Sequence, residues 1–231
     1  MSGSYKEENE LRKLIAVIFS LALFALTAFP ANAFAGKIKG KVNVKGLRTP
    51  ADIVVYLNKA PATDVDLSKA KYVMDQQNLA FIPRVLPIPV GSSVLFPNND
   101  KVDHNVFSMS RTKKFNLGSY KPGESQTVAF DKPGIVEVRC DVHAEMAAYI
   151  LVMKNPYFAV TDKQGNFEIP DAGYLQQMGL AGIAELPPGK YTVKTRHEKL
   201  KTQKRSIVVP DTGDVAVQLD LKRGVPSGLY K

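Results

Sequence analysis

Apolar and polar residues alternate along most of the chain beyond residue 36, which is the period of a half-buried strand and not that of a helix. In GKIKGKVNV the polar Lys37, Lys39, Lys41 and Asn43 alternate with Ile38, Gly40, Val42 and Val44. Similar spacing predicts strands in DIVVYL, GSSVLF, SQTVAF, GIVEVRC and AAYILVM, with KPG at 121–123 and 132–134 as turns. After Lys154 come shorter pieces, TDKQGNFEIP, ELPPGKYTVKTRHEK, RSIVVPD and DVAVQLDL, separated by Gly and Pro turns. In the last of these, Val215, Val217, Leu219 and Leu221 alternate with Asp214, Ala216, Gln218 and Asp220, giving one buried and one wet face. DAGYLQQMGLAG, 171–182, reads as a loop insertion or a broken helix, with Tyr174 and Met178 on one packing face. No long amphipathic helix is predicted, so the fold class is all-β, with two sandwiches.

The first 35 residues depart from this texture. Leu14 to Phe29 is an apolar, uncharged run after Arg12 and Lys13, followed by the small-residue sites Ala31-Asn32-Ala33 and Ala33-Phe34-Ala35. Residues 1–35 therefore read as a signal peptide, with the mature chain beginning near Gly36. An uncleaved anchor is the rival reading, because EENE is unusual upstream of such a run, but the run is short for a membrane span of roughly 20 residues. Cleavage would leave no stable membrane insertion and a periplasmic protein.

The formal net charge is +9, from 31 Lys and Arg against 22 Asp and Glu, and removal of residues 1–35 leaves it unchanged. Such a chain favours acidic partners or anionic surfaces. Lys190, Lys194, Arg196, Lys199, Lys201, Lys204 and Arg205 crowd one hairpin-sized segment, read first as a solvated strand face. Nucleic acid is not an expected partner, since aromatic residues do not interleave with these charges. An acidic redox partner or membrane headgroups remain open for this segment.

Export makes Cys140 conspicuous, because it is the only cysteine in the chain and has nothing to pair with. A buried thiol serving as a small apolar side chain is one explanation. A metal ligand is the other. In GIVEVRC, Val136, Val138 and Cys140 share one face while Glu137 and Arg139 share the opposite one, so the thiol points inward at the end of a strand. The following turn, DVHAEM, returns His143 and Met146 over the same point, and VLFPNNDKVDHNVFS supplies His104 at the head of the next apolar run. Two imidazoles, a thiolate and a thioether suit one type 1 copper, with methionine as the long axial ligand. Structural zinc prefers four stronger donors. The third histidine, His197, reads as a hydrogen-bonded structural residue on a strand with Tyr191 and Val193; Met74 and Met153 read as core, and Met109 as near His104 in sequence only.

GSSVLFPNND, HNVFS and KPGESQTVAFDKPGIVEVRCDVHAEM together resemble the copper half of a cupredoxin, and the C-x2-H-x2-M spacing resembles amicyanin most. The resemblance implies a Greek-key β-sandwich over residues 67–153 and His104, Cys140, His143 and Met146 as copper ligands. It also implies that Asn105 hydrogen-bonds the first-histidine segment to the cysteine loop. Ala144 and Glu145 stand where amicyanin-like loops carry a proline and a large apolar residue, which places a carboxylate on the expected docking face. VTDKQGNFEIP and ELPPGKYTVKTRHEK resemble the carboxypeptidase-regulatory-like β-sandwich, assigned to residues 154–223 with 224–231 as a tail, and residues 36–66 resemble its first strands. The combination is similar to periplasmic proteins labelled methylamine utilisation proteins.

The expected function is single-electron transfer with a redox protein, an acidic one such as a cytochrome c or a dehydrogenase. Sequestration or delivery of copper is the alternative, and a scaffold with a vestigial site is a third class. Enzymatic copper chemistry is not expected, since further histidine clusters are lacking in a chain of three histidines.

Overall fold

The computed structural model describes residues 36–180, 182–183 and 185–224; the expected signal segment 1–35 and the tail from 225 onward lie outside the described residues. In chain order the first strands are β1 (Ile38–Lys45), β2 (Val54–Leu57), β3 (Tyr72–Val73), β4 (Asp75–Gln77), β5 (Ala80–Ile82) and β6 (Val85–Pro89). Then come β7 (Ser93–Pro97), β8 (His104–Met109), β9 (Lys114–Tyr120), β10 (Ser125–Ala129), β11 (Gly134–Arg139) and β12 (Ala147–Met153). The last are β13 (Phe158–Val160), β14 (Asn166–Ile169), β15 (Gly189–Arg196), β16 (Lys204–Val209) and β17 (Val215–Lys222), with one short helix, α1 (Ala172–Gln177), after β14. Among the described residues the fold is all-β apart from α1 and a 3-10 turn at Leu67–Lys69. Among the described residues no helix is long and apolar enough to cross a membrane.

Two pairs of sheets bury two cores. A five-stranded sheet in the order β6-β12-β11-β8-β9 faces a three-stranded sheet β10-β7-β3. Between them lie Tyr72, Phe96, Phe130, Val106, Val138 and Ile150, all at most 1% exposed. The second core holds Ile38, Ile53, Val55, Ile169, Leu186 and Val193 between the sheets β14-β1-β17 and β13-β2-β15-β16. β1 runs parallel to β17 along its full length, from Ile38 opposite Val215 to Lys45 opposite Lys222, and antiparallel to β14. β2 lies between β13 and β15. Thus strands from both ends of the described chain share sheets, while β3 to β12 form the other sandwich.

The centre of β1 explains its one glycine. A Cβ at Gly40 would lie 2.4 Å from the Val217 carbonyl oxygen and 2.5 Å from Phe167 Cζ, so no larger residue fits there. A third, smaller core joins the sandwiches: Val54 and Phe158 from one pack on Val85, Leu151 and Met153 from the other. The Tyr174 ring meets Phe158 edge-on at 5.8 Å and its hydroxyl donates to the Pro87 carbonyl at 2.6 Å, so α1 clamps the same junction.

The segment 171–182 is therefore a one-and-a-half-turn helix, capped by Asp171 Oδ1 accepting from Tyr174 N. The histidine placed on a strand, His197, instead follows the last residue of β15. It is buried, with Nε2 3.3 Å from Glu198 and Nδ1 accepting the Lys199 N–H, because the chain turns inward at the junction core after Arg196. Lys194 lies directly opposite Lys204 on β15–β16, and Lys190, Lys199, Lys201 and Arg205 are exposed. Met74 and Met153 are core residues and Met109 is exposed.

Candidate metal centre

The β11–β12 hairpin builds the site. Val136, Val138 and Cys140 are at most 3% exposed, while Glu137 and Arg139 on the other face form an ion pair at 2.9 Å. The strand register ends at Arg139 opposite Ala147, and the turn 140–146 closes on itself. Met146 N donates to the His143 carbonyl at 3.0 Å, Cys140 N donates to the Met146 carbonyl at 3.3 Å, and the Arg139 guanidinium holds the Ala144 carbonyl at 3.3 Å. These bonds fold His143 back over Cys140.

Across the sheet, β8 begins with His104, which is completely buried. Its Nδ1 lies 3.1 Å from His143 Nδ1 and 4.0 Å from Cys140 Sγ, and His143 Nδ1 lies 3.8 Å from that sulfur. A metal held by bonds of about 2.0–2.1 Å to nitrogen and about 2.3 Å to sulfur, as at zinc sites, would separate N and S by about 3.7 Å and the two N by about 3.5 Å in a trigonal plane. The observed sides, 3.1 Å between the nitrogens and 3.8 and 4.0 Å to the sulfur, lie within about 0.4 Å of those lengths. Met146 is buried beside Cys140 in the same core, whereas His143 is partly exposed in the turn.

The loop before His104 is stapled from below. Asn98, completely buried, donates through Nδ2 to the Val102 and Tyr120 carbonyls and accepts the Asp100 N–H through Oδ1. Tyr120 stands opposite His104 in the β8–β9 register, and its hydroxyl accepts from Gln76 Nε2 at 2.6 Å while donating to the Phe96 carbonyl at 2.9 Å. Burial pushes the Tyr120 phenol up to about 12, so it stays protonated and a donor. Asp100 Oδ2 sits 2.9 Å from His104 Nε2. The Leu79 N–H, then the His104 ring, then the Lys101 N–H hold the Asp100 carboxyl down at about 2, so it is an anion that accepts.

Asn105 does not carry the bond expected of it. Its Nδ2 donates to Asn116 Oδ1 on β9 at 2.8 Å, and its Oδ1 is buried without a hydrogen-bond partner. The β8–β9 ladder shifts register between Asn105 and Phe107, which turns the side chain toward β9 and away from the cysteine loop. Sequence reasoning also passed over Asp100, Asn98, Gln76 and Tyr120; NNDKVDH offers several carboxylates and amides, and only the loop's folding selects one. Among the described residues, His104, Cys140 and His143 are the group of metal-binding side chains that converges. A groove of about 620 Å³ lies at the other end of the β11–β12 hairpin, lined by Lys59, Ile135, Leu151 and Lys154, and does not touch them.

Residues 68–153 match the family of copper binding proteins, plastocyanin/azurin family. They are a cupredoxin domain. Copper is the cofactor of that family, and the donor set of this domain, two imidazole nitrogens around a buried thiol, fits it. Solved structures similar to the chain include a novel purple cupredoxin from Nitrosopumilus maritimus, 23% identical, over 36% of this chain and 99% of that one, with a TM-score of 0.33. Amicyanin from Paracoccus versutus is 18% identical over 43% of this chain and 97% of its own, with a TM-score of 0.34. A copper-containing nitrite reductase from Thermus scotoductus is 25% identical over 49% of this chain, with a TM-score of 0.36, and the match spans only 28% of that enzyme. No curated protein sequence matches the chain.

Proposed function

We propose that the cupredoxin domain carries single electrons through one type 1 copper held by His104, Cys140, His143 and Met146. The observation that supports this best is the convergence of His104 Nδ1, His143 Nδ1 and Cys140 Sγ at 3.1–4.0 Å, with the sulfur buried and His143 partly exposed. Copper supplies the one-electron couple. The protein's part is to hold the three donors in one geometry for both oxidation states, through the β11–β12 ladder and the closed turn 140–146, so that little rearranges on electron transfer. Burial of Cys140 and His104 excludes water, and His143 offers the edge through which the partner exchanges electrons.

The partner is proposed to be another redox protein. Exposed Asp103, Asp141 and Glu145 flank the site, whereas the basic 190–205 segment lies on the other sandwich, so an acidic partner would meet the latter face. That second sandwich is proposed to be a non-catalytic module of the carboxypeptidase-regulatory-like kind, and the protein to work in the periplasm as a chain of the methylamine-utilisation type. His197 is tied to Glu198 at the junction core, leaving two histidines for the copper and none for an additional catalytic centre.

The test is the visible spectrum of the purified protein with Cu(II). A strong blue, green or purple thiolate-to-copper band that bleaches reversibly with ascorbate, and that Cys140→Ser abolishes without unfolding the chain, is the expected result. A folded protein with no such band would refute the type 1 assignment. Rapid loss of copper to a chelator, with the band present, would shift the reading to copper delivery.

A further inference from the structure

The carboxylate behind His104 is tied to an unusual piece of backbone. β4 and β5 are joined by a two-residue turn, with Gln77 paired to Ala80 and both central residues in the left-handed region, Asn78 at φ +53° and Leu79 at φ +57°. Asn is common in such turns, but the second place ordinarily goes to glycine, and a leucine there is strained. Leu79 is also 41% exposed, so burial does not account for a leucine there. What the turn does achieve is to aim the Leu79 N–H at Asp100 Oδ2, at 2.7 Å, the same oxygen that lies 2.9 Å from His104 Nε2. Asp100 Oδ1 accepts the Lys101 N–H at 2.8 Å, so the carboxylate is fixed at both oxygens.

We propose that Asp100 is the positioning residue of the metal centre: held by the Leu79 N–H, it fixes His104 as the Nε2–H tautomer and keeps the Nδ1 lone pair facing Cys140 and His143. This rests on the reading of His104 as a ligand. An acceptor-only carboxylate at Nε2 requires the ring to carry its proton there, and Nδ1 is then the unprotonated nitrogen. Without Asp100 nothing holds the proton at Nε2, and His104 is free to place it on Nδ1, the nitrogen that faces Cys140 and His143, which closes that nitrogen to a metal. Outer partners of this kind are worth about 10- to 100-fold in metal affinity.

The experiment reads the ring first without metal. In the purified metal-free protein, at a pH well above the usual histidine value of about 6.5, long-range nitrogen–proton NMR of the three imidazoles should show His104 wholly as the Nε2–H tautomer. Asp100→Ala should convert it to Nδ1–H or to a mixture, and should weaken Cu(II) binding about 10- to 100-fold. Asp100→Asn, which keeps an acceptor oxygen, should restore most of both. Leu79→Gly, which keeps the N–H and favours the turn, should leave both unchanged. A His104 that is Nδ1–H in the unsubstituted protein, or Nε2–H in Asp100→Ala with copper affinity intact, overturns the proposal. A tautomer change on Asp100→Ala in a protein that gives no thiolate-to-copper band supports the positioning of the ring and refutes the copper reading instead.

Discussion

Replacing Arg84 by methionine should loosen the two sandwiches from one another more than it disturbs either. Arg84 precedes β6 in the cupredoxin domain and reaches across to the carboxylates of Glu198, in direct contact, and Asp52, at 3.6 Å, while its guanidinium lies 5.6 Å from the centre of the Tyr149 ring. Glu198 is only 10% exposed, and Arg84 is 40% exposed. Breaking a fully buried pair costs about 3–5 kcal/mol because a charge is left uncompensated. An exposed pair is worth about 0–1 kcal/mol, so this half-wet one should cost about 1–3 kcal/mol between those limits. The pH dependence follows from Glu198. Burial pushes its carboxyl up, but the Arg84 guanidinium, the Glu198 N–H and His197 outweigh burial and leave it below the usual carboxylate value. In the native protein its contribution is therefore present above the unfolded value of about 4.3 and is lost as pH falls through the lower folded value. In Arg84→Met the strongest of the lowering partners is gone, the carboxyl rises, and the deficit shrinks once acid protonates it. Denaturant unfolding followed by tyrosine fluorescence, the chain having no tryptophan, should show a lower midpoint near neutrality and a smaller difference near pH 4. An unchanged neutral midpoint, or a loss undiminished in acid, would refute the reasoning.

Three further outcomes are expected. Tyr120→Phe removes the hydroxyl shared by Gln76 and the Phe96 carbonyl and should cost about 1–3 kcal/mol in denaturant unfolding, while the copper band keeps its position; a shifted band would give the phenol a direct role at the metal. Gly40→Ala pushes a methyl into Val217 and Phe167 and should destabilise by more than about 1 kcal/mol; an unchanged melting temperature would mean β1 can slide away from β17. Met146→Leu should keep a coloured site and raise its reduction potential in voltammetry, by removing the axial thioether; an unchanged potential would remove Met146 from the ligand set.

The strands with a clean period of two were legible in the sequence. GIVEVRC announced β11, its inward thiol and the turn behind it, and DVAVQLDL announced β17 over Val215–Lys222. VLPIP, which became β6, hid because all five of its residues are buried and two are prolines, so no alternation exists to be read. KFNLGSY, which became β9, hid because its inward face shows only Phe115 and Leu117 before Ser119 interrupts it and burial passes to Tyr120 on the other parity. At the site, the three side chains that converge, His104, Cys140 and His143, stand out in the sequence by residue type and spacing. Their supports do not: Asn98, Gln76 and Tyr120 reach across 21 to 44 residues through single polar atoms, besides the local bonds of Asn98, and Asp100 is one of two acids within a few positions of His104. Asn105 was misread because a one-residue register shift, invisible in the sequence, decides which neighbour its amide meets.

The way β2 and β13 meet has a consequence for how the molecule ages once metal is lost. Leu57 N donates to the Tyr157 carbonyl at 3.0 Å and Asn155 Nδ2 donates to the Leu57 carbonyl at 3.0 Å, so the chain leaves the outer sandwich and re-enters it at a single stitched point. Between Leu57 and Tyr157 the chain is, to the strands of that sandwich, one connection, of which only Ala60, Val65, Leu67 and Ala70 pack back on its core. Folded, the cupredoxin domain presents its ends already side by side; unfolded, it is a slack tether of about 100 residues, whose closure costs about 3 kcal/mol more than that of a four-residue hairpin. Loss of the inner domain's structure thus withdraws support from a sandwich that touches no copper. Whatever tightens the turn at Cys140 is therefore expected to steady strands that do not touch it.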